Sequence, residues 1–239
     1  MERELKIAVL IDAENVSDKY VQVIFDEVNN HGTATYKRIY GDWTKPKGSQ
    51  WKNVLLNYSI SPIQQYSYTS GKNASDAALI IDAMDILYSG QVDGFCIVSS
   101  DSDFTRLASR LREAGKYVLG MGEKKTPPAF ISACEKFKYL EVLLEATQPE
   151  VVVNRPTADK KSEQLVATLK TIINENSDDD GWAFLGEVGS ILSKRNPDFD
   201  TRNYGFQKLT PLVSSLKQFE IQSRKTSNPN ITHKYIRIK

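Results

Sequence analysis

The chain has little of what announces most enzyme classes. Its 239 residues hold two cysteines, Cys96 and Cys134, each in or beside an apolar run. So few, so placed, exclude a disulfide framework and a thiolate zinc site, and a reducing cytoplasm is the expected compartment. The two histidines, His31 and His233, sit in turn-like or strand-end settings with no partner pattern. Neither reads as part of a metal centre or a nucleophile–base pair. No apolar run is long enough to span a membrane, and the charged opening Met1-Glu2-Arg3-Glu4 does not read as a signal peptide. No membrane partner is expected. Charge is balanced at +1, from 31 basic and 30 acidic residues, so a nucleic-acid surface has to be a local patch. No Gly-x-Gly-x-x-Gly follows the first strand and there is no P-loop, which sets aside nucleotide chemistry of those kinds. Internal repeats and low-complexity segments are missing too.

What is present is ample apolar material, 40% of residues, in a pattern of strands and helices. Leu5 to Ile11 is a near-continuous apolar run ending at Asp12, as a strand buried on both faces of a parallel sheet reads. Ser17 opens a helical pattern through Tyr20, Val21, Ile24, Phe25 and Val28, stopped at Asn29-Asn30-His31-Gly32. Thr33 to Tyr40 predicts a second strand, ending in Gly41-Asp42. A basic, aromatic loop follows with Trp43, Lys45, Lys47, Trp51 and Lys52, then a helix and a weaker strand over Pro62 to Tyr66. After the turn Ser70-Gly71-Lys72-Asn73, an apolar helix is expected from about Ala74 to Tyr88, capped by Asn73 or Ser75, with Asp76 in its first turn. Residues 93–99 read as a strand and 102–114 as a helix, with Ser100 or Asp101 as its cap and Gly115 at its end. Lys116 to Met121, a short helix from Ala129, and Phe137 to Leu140 as a last strand complete the unit. Strands alternating with helices on short connections predict an α/β, Rossmann-like fold with a central parallel sheet over residues 1–146.

From 147 to 161 the chain is polar and carries prolines, and it reads as a linker. Residues 162–239 read as a smaller α+β domain. Helices are expected over Glu163 to Asn176, Leu185 to Lys194 and Thr201 to Leu216, then strands over Phe219 to Ser223 and Lys234 to Ile238. Three helices and a hairpin make a winged-helix pattern. Its basic surplus, Arg202 and Lys208 included, suits phosphate contact without sequence readout. In the loop at 43–52, Trp51 reads as core, whereas Trp43 is the better surface platform for stacking a base.

Four carboxylates lie at strand ends or helix starts: Asp12, Asp76, Asp101 and Asp103. Any one alone reads as a turn or helix cap. Asp82 and Asp85 read as the polar side of their helix. The case for chemistry rests on the conjunction. If the first and fourth strands are neighbours, Asp12 and Asp101 come side by side and Asp76 reaches the same crevice. Clustered carboxylates repel unless a cation neutralises them. A hard divalent ion held by oxygens is the natural partner, and it would serve phosphodiester hydrolysis.

These residues carry a family resemblance. Ile11-Asp12-Ala13-Glu14-Asn15, Lys72-Asn73-Ala74-Ser75-Asp76, Val98-Ser99-Ser100-Asp101-Ser102-Asp103-Phe104 and Gly115-Lys116 resemble the NYN domain of the PIN-like nuclease superfamily, in its bacterial LabA-like branch. The resemblance implies a Mg²⁺ or Mn²⁺ site made by Asp12, Asp76, Asp101 and Asp103, with Asn15 and Ser99 assisting, and an RNA substrate. Lys72 joins the expected substrate contacts. Ser100 stands where a Gly is common, and Glu14 adds negative charge at the mouth. Gly181-Trp182, Leu185-Gly186 and Pro197 to Leu209, with Arg202, Tyr204 and Lys208, are similar to the OST-HTH/LOTUS domain. That family is linked to RNA binding and to protein partners. A metal-dependent ribonuclease with an RNA-binding module is the expected function, and a non-catalytic RNA-binding adaptor is the alternative. A homodimer and a protein partner through the C-terminal half are further expectations. Asp101-Ser102-Asp103-Phe104-Thr105 also matches the nucleophile motif of haloacid-dehalogenase-type phosphatases. Those enzymes need a later Lys and a later acidic pair, for which the unit has no room.

Overall fold

The computed structural model describes residues 4–44, 46–66, 74–147, 159–225 and 232–239, with side chains except at 46–49 and 159–161. The described residues separate into two compact units, one before residue 149 and one after it. In the first, Lys6–Asp12 (β1), Thr33–Gly41 (β2), Ser61–Gln64 (β3), Gly94–Val98 (β4), Tyr117–Gly122 (β5) and Lys136–Tyr139 (β6) form one parallel sheet. The helices are Val21–Asn29 (α1), Pro46–Tyr58 (α2), Ala74–Ser89 (α3), Thr105–Glu113 (α4), Pro128–Ala133 (α5) and Leu140–Ala146 (α6). Strand order is β3-β2-β1-β4-β5-β6. The chain builds outward from β1 on one side, then returns to start again at β4 on the other. That reversal falls between β1 and β4, and the carboxyl ends at such a point are where open α/β sheets form a crevice.

Strand alternation decides what faces that crevice. Ile7, Val9 and Ile11 join Cys96, Val98 and Trp51 in one core layer. Ala8 and Leu10 join Phe95, Ile97, Leu79 of α3 and Leu107 of α4 in the other. With a period of two, Asp12 follows Ala8 and Leu10 to the side where α3 and α4 pack. Ser99 follows Phe95 and Ile97 to the same side. Both cysteine thiols are buried and unpaired, and burial raises their pKa values, so neither is a reactive thiolate.

Gly122 ends β5 beside the crevice. A Cβ there would lie 2.5 Å from the Ser99 carbonyl oxygen and 2.5 Å from Thr126 Oγ1. Gly122→Ala is expected to cost about 1–3 kcal/mol, as overpacked sites do, and to displace Ser99. Thermal unfolding checks it; an unchanged Tm contradicts the close fit.

Several expectations shift. The last strand stops at Tyr139, and Leu140 opens α6, whose Leu140, Val142 and Leu143 are buried. The basic loop is shorter than expected, because Pro46, with its φ preset for a first turn, already lies in α2. Asp101, not Ser100, caps the turn after β4: its side chain accepts from the Asp103 N–H. That turn is a 3-10 helix over Ser102–Phe104, and α4 follows it. Gly115 closes the segment at φ 73°, as a C-terminal glycine does. Asp82 is more than a polar surface residue: it accepts from the Arg38 guanidinium and the Tyr40 hydroxyl.

The second unit holds Asp159–Asn176 (α7), Ala183–Phe184 (β7), Leu185–Arg195 (α8), Leu209–Ser215 (α9), Phe219–Lys225 (β8) and Thr232–Ile238 (β9). The strands form an antiparallel sheet in the order β7-β9-β8. Leu169, Ile172, Val188, Leu192, Val213 and Ile236 centre its core. α7 begins four residues before the expected Glu163. The third expected helix is two pieces, a 3-10 turn at Thr201–Tyr204 and α9, separated where Gly205 takes φ 79°. Among the described residues no helix is long and apolar enough to cross a membrane.

Candidate functional site

Asp12 is the last residue of β1 and only 1% exposed. Three donors hold its carboxylate. The Glu14 N–H gives to Oδ1 at 3.0 Å, and the Asn15 amide and Ser99 hydroxyl each give to Oδ2 at 2.7 Å. Burial raises its pKa above the ordinary carboxylate value, and those bonds pull it back down. Ser99 also accepts from the Asp101 N–H at 3.1 Å. One hydroxyl therefore ties the end of β1 to the loop after β4. Asn15 and Ser99, expected to assist the site, both donate to Asp12.

Asp101 and Asp103 follow β4, and Asp101 Oδ1 accepts from the Asp103 N–H at 2.9 Å. Asp76 arrives from the first turn of α3. Asp76, Asp101 and Asp103 each offer one carboxylate oxygen, and the three atoms lie within 4.8 Å of one another. Burial grades across them: Asp76 is buried, Asp101 half-buried, Asp103 exposed. The Asp76 carboxyl is pushed up to about 7, first by burial, then by the charges of Asp12, Asp101, Glu14 and Asp103. Asp12 lies outside the group of three, yet its charge bears on Asp76 more than any other. The four acids of the sequence reading are thus an oxygen trio and one separate, buried, hydrogen-bonded carboxylate. The donor set is oxygen throughout, with no imidazole or thiolate, and its mutual repulsion favours a compact positive charge. It fits a hard divalent cation such as Mg²⁺ or Mn²⁺.

The remaining sequence-derived residues are less convergent. Lys72 and Lys45 lie outside the described residues, as does the Lys47 side chain. Trp43 is half-buried against the first core layer, and its indole N–H donates to the Ile63 carbonyl at 3.0 Å. That bond anchors the ring to β3, where a stacking platform was expected. Trp51 is core, 1% exposed, and donates to the Val16 carbonyl at 3.2 Å. In the second unit the Arg202 guanidinium grips Asp200 with two bonds, Nε to Oδ1 at 2.9 Å and Nη2 to Oδ2 at 2.7 Å. Asp200 in turn caps the 201–204 turn. Lys208 is exposed at the N-cap of α9.

Two buried residues at the strand ends have partners that the sequence reading did not assign. Ser100 is buried, and its hydroxyl accepts from the Glu123 N–H at 2.9 Å, tying the β4 loop to the β5 loop. Asp42 is buried just past β2 and accepts from the Thr44 N–H and hydroxyl and from the Gln64 amide. Its position after a strand resembles that of Asp12 and was the available signal.

The family model of the NYN domain matches residues 6–141, and that of the OST-HTH/LOTUS domain matches residues 159–231. Among solved structures, a protein of unknown function from Vibrio parahaemolyticus is 21% identical over 57% of this chain and 93% of its own, with a TM-score of 0.48. An uncharacterised protein from Nitrosomonas europaea is 33% identical over 39% of this chain and 82% of its own, with a TM-score of 0.29. A protein from Chromobacterium violaceum is 35% identical over 31% of this chain and 78% of its own, with a TM-score of 0.26. No curated protein matches the chain. The chain belongs to the NYN-domain family, with its NYN domain followed by an OST-HTH/LOTUS domain.

Proposed function

We propose that this chain is a metal-dependent ribonuclease. Its first unit hydrolyses phosphodiester bonds of RNA, and its second, basic unit binds the RNA. The observation that carries the reading is the meeting of Asp76, Asp101 and Asp103 within 4.8 Å at the point where strand order reverses. A nuclease-like, RNA-associated role is what the pair of domains supports.

Asp76, Asp101 and Asp103 would hold one Mg²⁺ or Mn²⁺. Such an ion, when bound, lowers the pKa of a water and neutralises charge gathering on phosphoryl oxygens. The chain's own part is positional. Ser99 locks the β4 loop to Asp12, so Asp101 and Asp103 keep a fixed distance from β1. Asp12 is held in one orientation by its three donors, and its charge is the largest of those that bear on Asp76. Near neutral pH without an ion, Asp76 holds a proton part of the time and must release it for an ion to bind. Hydrolysis joins a water oxygen to phosphorus and breaks the bond to the leaving sugar oxygen, which takes the proton.

Incubation of labelled single-stranded RNA with the purified protein tests this. Cleavage is expected with Mg²⁺ or Mn²⁺ and is expected to stop on chelation. RNA that is retained but left intact with either ion contradicts the nuclease and favours the adaptor.

A further inference from the structure

The small sheet of the second unit has an outer face that its core does not use. Ile221, Ile236 and Ala183 are in register across β8, β9 and β7 and turn into the core. The alternate positions come out on the other side. There Phe184 pairs with Tyr235, Arg224 with His233, and Glu220 with Arg237. Trp182, one residue before Ala183, joins the same side. The Arg224 guanidinium lies 4.4 Å from the Tyr235 ring centre and 5.4 Å from that of Trp182. Arg237 lies 4.7 Å from the Trp182 ring. Phe184 is 37% exposed, with its ring centre 4.9 Å from His233 and 5.9 Å from Tyr235.

A solvated face of an antiparallel sheet carries polar side chains by default. A lone exposed ring would need no explanation. This face instead sets four rings among two guanidiniums, with Glu220 and Gln222 as its other side chains on β8, and none of the rings belongs to the domain core. Carboxylates hold the cations in place: Arg237 Nε donates to Glu220 Oε1 at 2.6 Å, and Arg224 lies 3.7 Å from Asp178. Guanidiniums already seated on rings lose little freedom when a ligand arrives. Flat rings interleaved with fixed cations match one ligand chemistry best, planar bases joined by phosphates.

We propose that the Trp182, Phe184, His233 and Tyr235 face is a docking surface for unpaired bases of single-stranded RNA, with Arg224 and Arg237 meeting the phosphates. The proposal rests on the RNA-associated reading of the second unit and is independent of whether the first unit cuts. A protein helix would seek an aliphatic groove, which this face does not offer. The rings supply stacking that tolerates any base.

The test uses the full chain in EDTA, with a fluorescent oligouridine and an abasic strand of equal length and charge. Oligouridine is expected to bind about tenfold tighter or more, the yield of one or two stacked bases. Phe184→Ala removes most of that advantage and leaves abasic-strand binding nearly unchanged. Arg224→Gln weakens both strands and lowers the salt dependence. Unchanged Tm values show that each variant folds. Equal affinity for the two strands overturns the proposal. So does an advantage that survives Phe184→Ala. Binding of neither strand also overturns it and leaves the face to a protein partner. Chelation separates this from the nuclease reading: binding kept with cleavage absent sinks only the nuclease, and cleavage kept with base-independent binding sinks only the platform.

Discussion

Asp101→Asn is expected to leave the fold standing and to lower RNA cleavage by about a hundredfold or more. Asparagine caps helices as well as aspartate does, and its Oδ1 still accepts from the Asp103 N–H that Asp101 now holds at 2.9 Å. What is lost is one full charge of the oxygen trio. An ion held by fewer carboxylates binds more weakly and polarises less, and transition-state stabilisation by such an ion is worth several kcal/mol. By the usual conversion that is at least about two orders of magnitude in rate. Cleavage of a labelled oligonucleotide by the variant, beside its melting curve, checks both halves. Cleavage at the wild-type rate by a folded variant assigns the activity elsewhere.

Asp76→Asn is expected to do the opposite for stability. The Asp76 carboxyl titrates near 7 in the folded chain against an ordinary 3.8, so the folded state binds that proton more tightly than the unfolded one. Stability from this group is therefore lost as pH rises from about 4 to about 7, and the loss is complete above that. Asparagine carries no such charge. At pH 8 without metal, the variant is expected to melt above the wild type, and at pH 4 the two should coincide. Solvent at the mouth of the site screens the repulsion, so the gain is roughly 1 kcal/mol, or about 3 °C in Tm. Added Mg²⁺ or Mn²⁺ reverses the order, because it stabilises only the chain that binds it. A variant that melts below the wild type at pH 8 would show that Asp76 is held by attraction, not crowded by its neighbours.

Some of this architecture is legible in the sequence for physical reasons. The runs ending at Asp12 and at Val98 are continuous because both strands are buried on both faces, and such runs stand out. Asp101 as a cap follows from residue chemistry. The adjacency of β1 and β4 is different: strand order is set by non-local pairing, which the composition of either strand does not encode. The depth of Asp12 and the bond from Ser99 depend on that pairing, whereas its donors Glu14 and Asn15 are local in the chain. α6 was missed because Leu140-Glu141-Val142-Leu143-Leu144 is short, and a short apolar run fits strand or helix alike. The 201–216 pattern kept its apolar spacing through Gly205, so the break showed only as one residue with φ 79°. Asp82 seemed idle because its partners, Arg38 and Tyr40, come from a distant strand. The aromatic face shows the same limit most clearly. Trp182, Phe184, His233 and Tyr235 are unremarkable singly, and only strand register sets them side by side.

The most direct measurement is anomalous scattering from a crystal soaked in Mn²⁺. A single strong peak about 2.1–2.3 Å from carboxylate oxygens of Asp76, Asp101 and Asp103 is the predicted result, judged by ordinary distances of such ions to oxygen. A map with no peak there, and the three side chains turned apart or bonded to protein groups instead, would contradict the account.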